Sequence, residues 1–298
     1  MNNVHIDNIL DTLRVNNISY QYAGPNDLIL DVLKSFDDLK AGCLSFYNGS
    51  DFNKLNNSRR DGCLIISNIN FSHLFEGDNN ILFVNNPNVA ICVIGRLFEP
   101  ERELYVHPSA QICDSVNIDE SCTIAANVLI GKNVILGKNV TIDEGAVLKN
   151  CIIGDNTHIH PGVKIGSSGL GSHRDDEGKW HHFPHIGRVL IGSNVVVQDN
   201  SVIARGTLNN TILEDGVVVG PLTWIAHGVF VKKNAFIAQA VTIAGSVIIG
   251  ESAIIWSNSS IRDKLSIGEN SIIGMGSVVV KDVQPNSTVI GNPARLKK

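Results

Sequence analysis

Between Leu213 and Val279 an aliphatic residue returns at every sixth position without a miss, through Val219, Ile225, Val231, Ile237, Ile243 and on to Ile273. A helix stripe recurs at about 3.6 residues and a strand face at two, so neither element alone produces a beat of six. A short strand followed by a corner does, and stacked units of that kind make a hexapeptide-repeat parallel β-helix. In many units the residue two places earlier is also small or apolar, as with Val217, Thr223, Val229 and Val241. That spacing puts both members of each pair on one strand face, which here must be the inside of the coil. His227 follows Ile225 by two residues and falls near a corner, where its side chain can point outward.

The beat starts near Val106-His107-Pro108 and runs through Ile112, Ile118, Ile124, Ile130, Leu136, Ile142 and Leu148. It slips by one before Ile153, breaks over residues 166–188 (GSSGLGSHRDDEGKWHHFPHIGR), and slips again around Thr207-Leu208-Asn209-Asn210. Roughly 25 hexapeptides at three per coil predict about eight coils, each dependent on its neighbours for burial. Residues 1–105 lack the beat. Ile6, Ile9, Leu10 and Leu13 recur at helical spacing, NNISYQY, CLSFYN, CLIIS and NILFVN read as short strands, and NNPNVAICVIGRLF runs from a turn into a helix. The expectation is a mainly β protein: a small α/β domain over 1–105, then a β-helix domain over 106–298 with an excursion at 166–188.

The formal net charge of −5 excludes a broad basic face for nucleic acid. No apolar run approaches the roughly 20 residues that span a bilayer, and the polar start MNNVHIDNILDTLRVNN is unlike a secretion signal. All six cysteines fall between Cys43 and Cys151 without metal-like pairing, so the expectation is buried thiols in a reducing cytoplasm.

The ladder, together with the ending Gly291-Asn292-Pro293-Ala294-Arg295, resembles acyltransferases of the left-handed β-helix class. More specifically, Leu44-Ser45-Phe46 followed by Phe52, VNNPNVAICVIGRLF, IGSSGLGSHRDDEGKW, Ile186-Gly187-Arg188-Val189, Ala204-Arg205-Gly206-Thr207-Leu208 and Ile225-Ala226-His227 stand in the order found in UDP-3-O-acylglucosamine N-acyltransferases of lipid A synthesis. The resemblance implies left-handed coiling, a homotrimer with active sites between subunits, a nucleotide-sugar substrate and a catalytic histidine at His227. It also has departures. Gly220-Pro221-Leu222 replaces polar residues ahead of the histidine motif, Ala204 replaces an aspartate, Lys264 stands at a second histidine, and the GNPAR ending stands where the family has a helical extension. These point to a relative that acylates another dTDP- or UDP-linked amino sugar, such as a 4-amino-4,6-dideoxy sugar of surface glycans, from an acyl-CoA. The alternatives are the lipid A enzyme itself, using acyl-carrier protein, and a noncatalytic trimeric binding protein.

Amide formation from a thioester needs a neutral amine and a donor for the developing oxyanion. His227 suits the first need and the N–H of Gly245, one coil on, the second. The resemblance assigns Phe46 and Phe52 to stacking on the base, with Tyr47 and Asn48 as polar contacts and His185 and Arg205 on the substrate. Coenzyme A is assigned Ser246, Trp256, Lys281 and Arg295. Phe46 and Phe52 read equally as ordinary core residues. The excursion carries His173, His181, His182 and His185 with Trp180, but a flexible Gly- and Asp-rich loop sets no ligand spacing. No metal is expected there, and His158 and His160, inside the repeats, are expected to be structural.

Overall fold

A computed structural model describes residues 3–49, 62–76, 78, 80–99 and 105–297. The chain divides into two compact units, residues 1–102 and 103–298.

In the first unit, strand β1 (Val4–His5) leads into helix α1 (Ile6–Val15), which buries Ile6, Ile9 and Leu13. A mixed sheet follows, built from β2 (Tyr20–Ala23), β4 (Val32–Leu33), β5 (Cys43–Tyr47), β6 (Leu64–Asn68) and β7 (Ile81–Val84); a short β3 (Ile29–Leu30) pairs with β1 instead. The sheet order is β2-β7-β6-β5-β4, parallel throughout except at β2. Helix α2 (Pro87–Ile94) starts where Asn86 accepts from the N–H groups of Asn88 and Val89, with Pro87 in the first turn. Strand alternation sends Leu44 and Phe46 to one apolar cluster, with α1 and α2, and Tyr47 to another, with Phe75.

The second unit is a prism of three parallel sheets, nine, seven and ten strands deep, the last closed by an antiparallel return of Arg295–Leu296 onto Thr288–Ile290. One coil passes from Val218–Val219 on the ten-stranded face to Trp224–Ile225 on the nine-stranded face and Phe230–Val231 on the seven-stranded face. It then returns to the ten-stranded face at Phe236–Ile237. Register pairs Val219 with Ile237, Ile225 with Ile243 and Val231 with Ile249. The residues of the six-beat are therefore the inward ones, and these six are fully buried. Each such side chain contributes about 1.5–3 kcal/mol relative to exposure, which is why the beat tolerates no polar substitute. The residue two places earlier also points inward, and where it is hydroxylic it is satisfied: Thr223 Oγ1 donates to the Ala238 carbonyl at 3.1 Å and Ser201 Oγ to the Gly220 carbonyl at 2.9 Å.

Corners turn through a residue in the left-handed region. Asn fills that position at Asn127, Asn133, Asn139, Asn156, Asn194, Asn200, Asn234 and Asn258, among others. Its short polar side chain makes αL cheaper than for other residues with a Cβ. Leu222, Ala240, Ser246 and Lys264 occupy the same conformation without that help.

The first edge of the prism joins the ten- to the nine-stranded face, the second the nine- to the seven-stranded, and the third closes the coil. All three interruptions of the sequence beat fall on the second edge. The one-residue slip lies between Val147–Leu148 and Cys151–Ile153, the excursion between Lys164–Ser167 and Val189–Ile191, and the widened turn between Val202–Ala204 and Thr211–Leu213. An edge can absorb or lose residues because the strand ladders on either side keep their register, apart from a one-residue bulge between Ile165 and Ser167 where the excursion leaves.

All six cysteines are free, but only Cys43, Cys63, Cys122 and Cys151 are buried. Cys92 is exposed and Cys113 half-buried, contrary to the expectation of uniformly buried thiols. Burial pushes the Cys151 thiol up to about 12, the nearby Arg188 notwithstanding. No helix among the described residues is long and apolar enough to cross a membrane.

Candidate active site at the second edge

His227 stands on the second edge, in the corner after Trp224–Ile225. The register that pairs Ile225 with Ile243 places Gly245 directly below it, one coil on. A Cβ at Gly245 would lie 2.6 Å from Cε1 and 2.8 Å from Nε2 of His227, so the imidazole rests on the glycine backbone and any larger residue there has to displace it. The His227 carbonyl accepts from the N–H of Ser246 at 3.0 Å, and the Gly245 carbonyl from the N–H of Lys264 at 3.0 Å, which ties three coils of the corner together. Neither ring nitrogen of His227 takes a hydrogen bond among the described residues.

The excursion folds back over this ring. His185 is buried and meets His227 edge to face, ring centroids 5.4 Å apart at 68°. Its Nδ1 lies 2.9 Å from the Phe183 carbonyl, which can only accept, so Nδ1 is the donor there and Nε2 is left for other contacts. That Nε2 is buried without a hydrogen-bond partner among the described residues. Gly169 completes the wall: a Cβ there would lie 3.1 Å from His185 Nε2 and 3.3 Å from His227 Cδ2. Desolvation, and secondarily the neighbouring His185, hold the His227 imidazolium below its usual pKa, so the neutral base form is favoured.

Arg205 holds the excursion in place. Its Nε donates to the Gly187 carbonyl at 2.6 Å and its guanidinium to the Ile186 carbonyl at 2.8 Å. Within this structure Arg205 is thus a loop anchor two residues from His185. Thr207 adds to the anchor, its carbonyl accepting from the N–H groups of Ile186 and Gly187 at 2.7 and 2.9 Å.

The structure brings His227, Gly245, Ser246, His185 and Arg205 to one edge. Trp256 lies elsewhere: it is at a first-edge corner, 42% exposed, with its ring 6.0 Å from Phe236. Lys281 and Arg295 meet at the C-terminal end of the β-helix, lining one cavity of about 440 Å³ with Gln284 and Ser287. In the first unit, Phe46 is half-buried against the α1/α2 core, whereas the Tyr47 ring is 5% exposed among Phe36, Phe71 and Phe75. The Tyr47 ring is therefore core packing, and Asn48 beside it is exposed. Phe52 lies outside the described residues.

Two contacts of the site were not foreseen from sequence, the Gly169 wall and the His185–His227 stack. Their signal was the run Gly166-Ser167-Ser168-Gly169-Leu170-Gly171, whose glycines allow backbone to approach a ring closely. The replacement Gly220-Pro221-Leu222 falls on the first edge, so within this chain it says nothing of what surrounds His227. Lys264, at the next coil of the second edge, reaches the site through its backbone N–H.

Comparison with known proteins agrees with this fold. Residues 246–281 match the bacterial transferase hexapeptide model of six repeats, and residues 102–213 match a GMPPB C-terminal domain model. A UDP-3-O-acylglucosamine N-acyltransferase of Hydrogenovibrio crunogenus is 33% identical over 254 residues, which cover 78% of this chain and 72% of that protein. The chain belongs to the UDP-3-O-acylglucosamine N-acyltransferase family. A second member, from Acinetobacter baumannii, is 34% identical over 235 residues, covering 72% of this chain and 65% of that protein. Among solved structures, a UDP-N-acetylglucosamine acyltransferase from Campylobacter jejuni superposes with a TM-score of 0.59 at 24% identity, over 65% of this chain and 74% of that one. That likeness carries the fold, a left-handed parallel β-helix. UDP-3-O-acylglucosamine N-acyltransferases are amide-forming, and this chain is an acyltransferase of that β-helix type. The names of these relatives favour the lipid A reading over the expected 4-amino-4,6-dideoxy sugar.

Proposed function

We propose that this protein transfers an acyl group from a thioester carrier to the amino group of a UDP-linked, 3-O-acylated glucosamine, with His227 as the base. The observation that carries the reading is the half-buried His227, resting on Gly245 and flanked by His185, with its pKa lowered by desolvation. In this reading the amine loses a proton to a ring nitrogen of His227 as its lone pair attacks the thioester carbonyl. The N–H of Gly245, which takes no backbone hydrogen bond among the described residues, donates to the oxyanion of the tetrahedral intermediate. Collapse breaks the C–S bond, and the proton on His227 passes to the departing thiolate. Each such contribution is typically worth 10²- to 10⁴-fold for the base and 10²- to 10³-fold for an oxyanion donor. The unpartnered His185 Nε2 beside this base is placed to hydrogen-bond the incoming amine.

For the carrier, the cavity shared by Lys281 and Arg295 suits a phosphate, a group common to coenzyme A and the phosphopantetheine arm of acyl-carrier protein. We further propose a homotrimer with each second edge against a neighbour. The outer row of the seven-stranded face, which borders that edge, is apolar through Ile135, Ile152, Leu190, Ile212, Phe230 and Ile248. Ile135 and Ile248 are 53% and 41% exposed in the single chain, and rows of this kind mark association surfaces.

The deciding assay supplies purified protein with UDP-3-O-acylglucosamine and either an acyl-CoA or an acyl-carrier protein thioester, product read by mass spectrometry. Amide product, lost in His227→Ala, is the expected result, and the productive donor identifies the carrier. Product only from a 4-amino-4,6-dideoxy sugar nucleotide would replace the acceptor proposed here. Product undiminished in His227→Ala would remove the base assignment.

A further inference from the structure

The first edge of the prism carries a second cluster of titratable side chains, unrelated to His227. The order His158-Ile159-His160 sends Ile159 into the core and both histidines outward, the spacing of two that puts side chains on one face. Register pairs Ile142 with Ile159 and Ile159 with Val197, so Asp143, His160 and Gln198 occupy the same corner position in successive coils. His158 Nε2 lies 2.6 Å from Asp143 Oδ2. The two imidazoles are stacked, centroids 4.0 Å apart at 25°. One ligand atom from each of Asp143, His158 and His160 lies within 4.8 Å of the others, the one such three-residue group among the described residues. Asp199, in the coil beyond, brings Oδ1 to 3.4 Å from His160 Nδ1.

Nothing in the fold requires this arrangement. The equivalent corner position in other coils is Ala125, Gly220 or Ala238, and the neighbours of His158 along the outer row are Thr141 and Val196. The three side chains are 22–27% exposed, sheltered enough to keep a fixed geometry and open enough to be reached. Two imidazole nitrogens and one carboxylate oxygen form a borderline donor set, suited to zinc and its transition-metal neighbours rather than to magnesium or calcium. Metal–ligand bonds of about 2.0–2.2 Å bring such donor atoms within the separation observed here. Asp199 stands where a carboxylate orients the far nitrogen of a ligating histidine.

We infer that Asp143, His158 and His160 bind a divalent transition-metal ion, zinc by preference, with Asp199 orienting His160 from outside the ligand set. The ion ties two successive coils together at the first edge, and Asp199 joins the next coil to it through His160. This revises the expectation that the two histidines are merely structural and that the chain takes no metal.

The test uses the full chain, stripped with a chelator, dialysed, and titrated with Zn²⁺ under equilibrium dialysis with elemental analysis. Co²⁺ absorption reports the ligand geometry. One ion per chain is expected. His158→Gln/His160→Gln and Asp143→Asn each abolish binding at micromolar zinc, Asp199→Asn weakens it roughly 10- to 100-fold, and a triple change of His173, His181 and His182 to Gln leaves it intact. A zinc-dependent rise in Tm accompanies binding in the wild type and disappears in Asp143→Asn, which decides the matter if the double variant does not fold. The inference is overturned if the wild type takes up no zinc or cobalt at micromolar concentrations, if uptake survives the double substitution, if it is lost only with the excursion histidines, or if the Tm rise persists in Asp143→Asn.

Discussion

His227 and its two contacts decide what the second edge can do. In the proposed reaction, replacing His227 with Ala removes the base while vacating a corner rather than the core, so kcat/KM for amide formation is expected to fall by about 10²- to 10⁴-fold while the thermal midpoint moves little. Because desolvation and His185 depress the folded pKa of His227, the acid limb of kcat/KM lies below the usual histidine value of about 6.5. His185→Gln removes the neighbouring imidazole that helps hold the His227 pKa down, and the limb moves to higher pH; an unmoved limb in a pH–rate profile would detach His185 from the base. The stability sign follows from the same shift. The unfolded chain binds a proton at this residue near pH 6.5 and the folded chain only at lower pH, so this contribution is present above that value and is lost as pH falls below it. Gly245→Ala tests the floor of the site. Its methyl group would enter the His227 ring at 2.6–2.8 Å, and displacement of a catalytic group by about 1 Å costs on the order of 10²-fold in rate. The melting curve separates that loss from unfolding.

At the scale of the elements, coil regularity and local strain trade against each other. The αL corner position costs a residue with a Cβ about 1–2 kcal/mol, less for Asn. Ala240 takes it at φ 55° between Leu222 and Asn258 in the corner stack. Ala240→Asn therefore raises stability by about 0.5–1 kcal/mol, seen as a higher urea midpoint at unchanged slope; no gain would mean that another feature of this corner offsets the strain. The same regularity explains what could be read without coordinates. A six-residue period reports directly on which side chains enter the prism, since Ile225 and Ile243 must both be inward for the ladder to close, and the interruptions were visible as missing beats. That all three share one edge was not visible, because each shifts the count but none states which corner it occupies. The placement of Gly220-Pro221-Leu222 was misleading for a related reason. Seven residues before His227 is close in sequence but a full face away on the prism. Strand polarity in the first unit left a similar ambiguity: CLSFY shows its period of two, but not that Tyr47 points into an aromatic cluster while Phe46 points at the helices.

For the molecule as a whole, a solenoid differs from a closed globule in leaving long flat faces, and what covers them governs whether the second edge is complete. The outer rows of the three faces are unequal. The nine-stranded face mixes Leu129, Lys164, Trp224, Thr242 and Ser260, while the seven-stranded face is aliphatic or aromatic from Ile135 through Ile248. Six successive apolar rungs beside the His227 edge are costly in water at about 25 cal/mol per Å², and packing against another copy removes that cost. Light scattering of the wild type should therefore give three chains per particle. Placing lysine at Ile212 and Phe230 together inserts two charges into the middle of the row, where desolvation without a partner is strongly unfavourable, and the mass should fall to that of one chain. If His227 works between subunits, amide formation falls with it, although neither residue touches the imidazole. An assembly that stays intact with both lysines in place would move the interface to another face, and a single chain that keeps full turnover would show that the second edge is complete in itself.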